Sequence, residues 1–254
     1  MAESPTVQRV GRVLLVTIDR PHRRNAVDQP TAEGIAAAME LLDGDPRLCA
    51  GVLTGAGGWF SAGMDLAEFA AGRPCRVPGR GFAGLAESPP AKPLLAAVEG
   101  GAWGGGLELL LCCDLVVAAR DARFALPEVR RGLLPAAGGL LRLSSRVPHQ
   151  IAMEMLLTGD PLDAARAERY GLVNAVCEPG ESRALALRMA HRIAEAAPLA
   201  VRAAKRIGTL ARDWPAAEGF ERQRALVDEV RRSRDAMEGA RAFLERRAPE
   251  WSGT

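Results

Sequence analysis

No stretch of the 254 residues approaches the ~18 consecutive apolar positions that a membrane span needs, which excludes a membrane-spanning helix and leaves a soluble protein as the expectation. The first ten residues, MAESPTVQRV, have no apolar core behind a basic start and no Arg-rich amphipathic stretch. Neither a secretory nor an organellar signal is read there, and a cytoplasmic location is expected. Cysteine is sparse: Cys49, Cys75, Cys112, Cys113 and Cys177 make an odd, scattered set, and the adjacent pair lacks zinc-ligand spacing. They are read as reduced, with no metal site. Charge of one sign is not in excess either, because 33 basic residues face 31 acidic ones, so nothing in the balance points to nucleic acid. Basic residues thicken after residue 183, but Glu and Asp are interleaved, as on solvated helix faces. There is no internal repeat, no dinucleotide fingerprint after the first strand and no phosphate-loop Gly-Lys-Ser/Thr. His22, His149 and His191 stand in neither a nucleophile elbow nor a ligand spacing, and read as surface or capping residues.

What is present is a globular composition, 48% hydrophobic and 25% charged, in a chain long enough for one large domain or one domain with an appended helical segment. Residues 12–18 (RVLLVTI), 50–54 (AGVLT) and 94–98 (LLAAV) read as buried strands. Between the first two, residues 31–43 place Ile35, Met39 and Leu42 on one helical face behind a Thr31 cap. A short helix over 105–112 and a strand over 114–118 repeat the pattern, so the economical fold class is α/β in layers. Residues 72–90, crowded with Gly and Pro, read as a long loop beside a site. From about residue 148 the signals are almost all helical, including 181–196, 198–212 and 216–232.

Two glycine-rich turns follow strands. The first, Gly55-Ala56-Gly57-Gly58-Trp59-Phe60-Ser61-Ala62-Gly63-Met64-Asp65, leaves backbone N–H groups free to face a ligand, or is an ordinary strand-to-helix turn. The second, Gly100-Gly101-Ala102-Trp103-Gly104-Gly105-Gly106-Leu107-Glu108, opens a helix whose N-terminus suits a developing negative charge. Three successive glycines there cost ~1 kcal/mol each relative to Ala, which a purely structural turn does not explain well. Glu108 lies one turn into an apolar helix and needs a partner or a task. With Glu128, in Ala125-Leu126-Pro127-Glu128, it would make a carboxyl pair able to activate a water and manage its proton. The alternative is that Glu128 is a surface residue and Glu108 caps something nearby, and on the residues alone Glu128 reads rather as a surface residue. Asp114 reads as the anchor of a strand start, and Trp103 as core or as the wall of an acyl pocket.

The order Arg20-Pro21, Asn25-Ala26, Ser61-Ala62-Gly63-Met64-Asp65, Gly104-Gly105-Gly106-Leu107-Glu108, Cys113-Asp114, Pro127-Glu128 with Gly132 and Pro135, then Gly138-Gly139, resembles the enoyl-CoA hydratase/isomerase, or crotonase, family from about residue 10 to 247. The resemblance implies a repeated ββα superhelix over residues 1–195, closed by a C-terminal helical region, 196–254, that forms a homotrimer or dimer of trimers. It implies an acyl-CoA substrate, with coenzyme A part of that substrate and no separate cofactor, and neither nucleic acid nor membrane as partner.

Carried over position by position, the backbone N–H groups of Met64 and Gly105 would hold the thioester oxygen. Glu108 would orient and deprotonate water, and Glu128 would protonate the α-carbon, with the division open to sharing or reversal between coupled carboxyls. Arg23, Arg24, Ala26, Ala62, Asp65 and Leu66 match the positions that lodge the nucleotide and pantetheine, while Trp103, Gly104 and Pro127 complete the substrate contacts. The sequence departs from the family at Leu126, where a polar residue is common, and at Ala136-Ala137 before Gly138. A more apolar surrounding raises a carboxyl pKa. Retention of both glutamates favours an enoyl-CoA hydratase, a hydro-lyase. The alternatives are a Δ3,Δ2-enoyl-CoA isomerase, other acyl-CoA enolate chemistry, and a catalytically idle acyl-CoA- or RNA-binding scaffold.

Overall fold

The computed structural model describes residues 5–73 and 75–254; residues 1–4 and Pro74, the latter inside the expected 72–90 loop, lie outside the described residues. The chain begins with β1 (Thr6–Val10) and β2 (Val13–Ile18), an antiparallel pair in which exposed Thr6–Arg9 cover the buried β2. A 3-10 turn over Pro21–Arg23 leads to α1 (Gln29–Gly44). The helix starts two residues before the expected Thr31, because Asp28 is its cap and accepts the Thr31 N–H at 2.9 Å. Pro30, in the first turn, has no N–H to leave unpaired. Ile35, Met39 and Leu42 are fully buried, as the periodicity predicts.

Next come β3 (Ala50–Gly55), α2 (Leu66–Ala70), a hairpin of β4 (Arg76–Val77) and β5 (Gly81–Phe82), then β6 (Leu94–Val98), β7 (Gly101–Trp103) and α3 (Gly105–Leu111). The segment expected to be a loop therefore carries a hairpin, whose two-residue strands are too short to show a period of two. β8 (Leu115–Ala119) and β9 (Arg123–Ala125) follow, then a 3-10 helix over Pro127–Arg131, α4 (Gly139–Arg142), α5 (His149–Thr158), β10 (Leu162–Asp163), α6 (Ala164–Arg169) and β11 (Ala175–Cys177). Helices α7 (Ser182–Ala194), α8 (Pro198–Leu210), α9 (Gly219–Arg231) and α10 (Arg234–Glu245) complete the described chain.

The main sheet runs β1-β2-β3-β6-β8-β11 and is parallel from β2 onward. A second sheet runs β10-β9-β7, and Ser61 adds a parallel bridge to Ala102 of β7. Each strand of the main sheet from β3 to β8 is thus followed at once by a piece of the second sheet and then by a helix. This repetition is the ββα superhelix. Alternation within the strands divides two cores. Leu14, Val16, Ile18, Ala96 and Val98 face the interior between the layers, whereas Val13, Leu15, Leu95 and Ala97 meet Ala186 and Ala190 of α7. The alanine stripe lets α7 lie close on the sheet. Asp114 does anchor strands: it accepts the Leu94 N–H (2.8 Å) and the Lys205 ammonium (2.7 Å), tying α8 to the sheet. Neither α8 nor α9 has a buried residue. Among the described residues no helix is long and apolar enough to cross a membrane.

Candidate active site

The turn after β3 owes its shape to Asn25. This residue is fully buried with φ +56°, and its side chain holds three backbone groups at once. Its Nδ2 donates to the carbonyls of Ala56 (2.8 Å) and Trp59 (2.5 Å), and its Oδ1 accepts the Arg20 N–H (2.9 Å). Its own carbonyl accepts the Ser61 hydroxyl, and Ser61 Oγ in turn accepts the Gly63 N–H at 3.1 Å. Arg20 bridges Asp28 (3.3 Å) and Asp65 (3.2 Å), and Asp65 caps α2 through the Ala67 N–H. The motif Arg20…Asn25…Ser61…Asp65 is therefore one buried network of hydrogen bonds that sets the backbone of residues 55–65.

That backbone brings Gly63 against the first turn of α3. A Cβ on Gly63 would lie 2.6 Å from the Gly105 nitrogen and 2.8 Å from the Trp103 carbonyl oxygen, and φ +86° also favours glycine. Val27 pairs with the same segment, donating to the Gly63 carbonyl and accepting from Asp65 N–H, so the intervening Met64 N–H is left outside the bridge. The Gly105 N–H opens α3 and has no helical acceptor. Among the described residues neither N–H has a hydrogen-bond partner. Two free donors on neighbouring strands of backbone are the arrangement an anionic oxygen needs.

Two carboxyls accompany them. Glu108 is 4% exposed, and its Oε1 accepts the Gly139 N–H at 2.8 Å. Burial raises its pKa, opposed by backbone hydrogen bonds from Gly139 and Ala137 and by the charge of Arg142. Glu128 sits at the start of the 3-10 helix, with Gly104 so close that a Cβ there would lie 3.0 Å from its Oε1. Its Oε2 is buried with no partner among the described residues. Burial first, and the neighbouring Glu108 charge as well, push its pKa up to about 7, with its own backbone hydrogen bond and Arg131 acting downward. Far from being a surface residue, Glu128 is in the site.

The donors and carboxyls open into a cavity of 990 Å³. Every residue that the family resemblance assigns to catalysis or substrate contact lines it: Arg23, Arg24, Ala26, Ala62, Met64, Asp65, Leu66, Trp103, Gly104, Gly105, Glu108, Pro127 and Glu128. Two qualifications come from the contacts. The Asp65 carboxylate is committed to Arg20 and to the α2 cap, so it shapes the wall, and Arg24 lies over the Trp59 ring at 5.1 Å. The lining also includes Trp59, Ala67, Phe69, Arg76, Phe82, Glu87, Arg131, Gly132, Leu133, Leu134, Ala136 and Ala137, to which the sequence assigns no substrate contact. Phe82 and Arg76 belong to the β4-β5 hairpin, where the sequence shows no period to mark an inward face. In the sequence Gly139 stands out only as part of the Gly138-Gly139 pair; in the structure its N–H lies on Glu108.

The sequence profile of the enoyl-CoA hydratase/isomerase family matches residues 8–254. The chain belongs to this family. Among solved structures it is similar to an enoyl-CoA hydratase from Mycobacterium tuberculosis H37Rv, 51% identical with a TM-score of 0.97 over 98% of this chain and 99% of that one. It is also similar to a carnitinyl-CoA hydratase from Mycobacterium avium, 41% identical with a TM-score of 0.80 over all of both chains. Among curated proteins, a carnitinyl-CoA dehydratase from Salmonella typhi is 41% identical over 262 residues, covering both chains fully. The superhelix is thus the crotonase fold. In such a member, two free N–H groups can stabilise a thioester oxyanion while two carboxyls of unlike basicity move protons.

Proposed function

We propose that the protein is an enoyl-CoA hydratase, adding water across the α,β double bond of a trans-2-enoyl-CoA to give a 3-hydroxyacyl-CoA. The observation that carries this reading is the pairing of unlike carboxyls beside the two free donors. Glu108, held by the Gly139 N–H, is the base that takes a proton from water. Hydroxide adds at C3, and the displaced electron pair moves to the thioester oxygen between the N–H groups of Met64 and Gly105. Glu128, protonated up to about pH 7, then delivers a proton to C2. One water is consumed, and a proton passing from Glu108 back to Glu128 resets the pair. An isomerase needs one carboxylate to shuttle a proton, so the second buried carboxyl supports hydration. Arg23 and Arg24 at the cavity edge suit the phosphates of coenzyme A.

The acyl group we propose is uncharged. A carnitinyl group carries a quaternary ammonium, which is held best by a carboxylate left free beside the acyl group. Here Glu87 is paired with Arg76 at 2.6 Å and the Trp59 face carries Arg24, while Leu66, Phe69, Phe82, Leu133 and Ala137 make the remaining wall apolar. We also assign the C-terminal helices to a homotrimer or dimer of trimers, because Phe220, Met237, Phe243 and Leu244 are each more than 60% exposed there. The deciding experiment follows loss of the conjugated-thioester absorbance of crotonyl-CoA and longer enoyl-CoAs, with 3-enoyl-CoA and carnitinyl-CoA as rival substrates. Hydration of the first group supports the reading. Turnover of 3-enoyl-CoA or carnitinyl-CoA alone replaces it with isomerisation or carnitinyl dehydration.

A further inference from the structure

Glu108 projects from α3, but the N–H that holds it belongs to a different segment, the Gly138-Gly139 turn that opens α4. This turn has little of its own to fix it. Gly138 sits at φ +106°, α4 is four residues long, and the flanking Ala136, Leu140 and Leu141 are exposed. What ties the turn down is Arg142. Its Nη2 donates to the Ala86 carbonyl at 2.6 Å and its Nη1 to the Ala137 carbonyl at 3.4 Å. A Cβ on Gly138 would lie 2.0 Å from that Nη1, so the guanidinium is folded directly under the glycine. Ala86 is buried in the segment that brings Phe82 and Glu87 to the cavity. Arg142 therefore joins the cavity wall to the donor of Glu108. Among the described residues no carboxylate is within ion-pair distance of it, so its half-buried charge is spent on carbonyls and on the field at Glu108.

We propose that Arg142 is a positioning residue for Glu108, clamping the Gly138-Gly139 turn to the Ala86 carbonyl so that the Gly139 N–H stays on the carboxylate. The inference rests on the hydration reading, in which Glu108 takes the proton from water. The charged and titratable groups around the pair are few. Arg142 faces Glu108 from α4, and Glu128 and Arg131 come from the 3-10 helix. Cys112, one turn along α3, stays neutral because burial pushes its thiol up to about 11. Arg146 and Lys205 act on that thiol, and Arg146 is bound to the Leu111 and Cys113 carbonyls at the far end of α3. Burial raises the Glu108 pKa, whereas the Gly139 N–H and Arg142 act against it. Removing Arg142 weakens both opposing influences, so the carboxylate is lost at a higher pH.

The test compares Arg142→Met and Arg142→Lys in the full chain, reading kcat and KM for crotonyl-CoA against pH, together with an infrared titration of the buried carboxyl assigned by subtracting Glu108→Gln. Arg142→Met is expected to lower kcat by roughly 10²-fold at most with KM little changed, the scale of a small misplacement of a catalytic group. Its acid limb and its infrared titration should both move up by about one pH unit, a tenfold change in the ionised fraction below the limb. Arg142→Lys, which keeps the charge, should hold the limb near its native position. An unmoved limb and titration in Arg142→Met overturn the proposal, as does Arg142→Lys behaving like Arg142→Met with losses that only track melting temperature. If Arg142→Met does not fold, Arg142→Gln retains a donor for Ala86 and must still shift the infrared titration, or the proposal fails. A native chain that does not hydrate but whose infrared titration moves on Arg142→Met keeps the clamp and refutes the hydration reading instead.

Discussion

Replacing Gly63 with Ala tests the proposed oxyanion site without touching a polar side chain. The added Cβ would stand 2.6 Å from the Gly105 nitrogen and 2.8 Å from the Trp103 carbonyl oxygen, both backbone atoms with no flexible end to yield. The residue would also hold a left-handed φ of +86°, which costs an L-residue roughly 1–2 kcal/mol. Relief of the clash has to move the first turn of α3, and with it the Gly105 N–H. Loss of one such donor typically lowers kcat by ~10²–10³, or about 2.7–4 kcal/mol of transition-state stabilisation. Gly171→Ala is the control, since Gly171 has a similar φ of +79° but nothing within 4 Å of its Cβ position. It should cost about 1 kcal/mol in urea unfolding with kcat unchanged. Initial rates on crotonyl-CoA and urea midpoints for both variants complete the comparison. If Gly63→Ala loses stability yet keeps kcat within about threefold, charge does not develop at the Gly105 N–H and the assignment of that donor is wrong.

Glu108→Gln and Glu128→Gln are each expected to lower kcat by roughly 10²–10⁴ while calorimetric binding of a 3-hydroxyacyl-CoA persists. Glu128 also makes stability depend on pH. Its folded pKa is raised from 4.5 to about 7, so between these values the folded state holds the proton more tightly than the unfolded chain and stability falls as pH rises. The decline is at most about 3.4 kcal/mol over that window, read as a falling urea midpoint, and Glu128→Gln should flatten it. The same ionisation places the basic limb of the kcat/KM profile near pH 7. Asn25→Ala leaves the carbonyls of Ala56 and Trp59 and the Arg20 N–H unpaired, and should cost about 2–4 kcal/mol in unfolding free energy, with kcat falling in parallel.

Much of this architecture is legible in the sequence because burial there is strongly patterned. The strands at 13–18, 50–55 and 94–98 are runs of apolar residues that a parallel sheet covers on both faces, and α1 shows its inward stripe at every turn. Elements of two or three residues leave no such record. β4, β5, β7, β9 and β10 exist because the second sheet and the hairpin pair them, not because their residues prefer it. The site divides in the same way. Glycines and glutamates announce themselves by being out of place in their local context, whereas Trp59, Phe82 and Leu133 look like any core residue until the superhelix turns them toward one cavity. Glu128 was the sharpest contrast, since a charged residue after Pro127 has every local mark of the surface.

The two carboxyls show why burial alone does not assign acid and base. Glu108 is the more deeply buried, yet the larger upward shift falls on Glu128. The difference lies in hydrogen-bond supply. Glu108 faces the N-terminal end of α4, where Gly139 offers an N–H free of helical duties, and Arg142 adds a positive charge. Glu128 follows Leu126, which is fully buried, and Pro127, which has no N–H to give, and among the described residues its Oε2 finds no donor. An ionised carboxylate at Glu128 is therefore left with less compensation than one at Glu108. On the proposed hydration reading, Leu126 and Pro127 thereby suit Glu128 to donate the proton, while the glycines after Pro135 suit Glu108 to accept it. The proposed direction of proton flow thus follows from the backbone donors that each segment can or cannot supply.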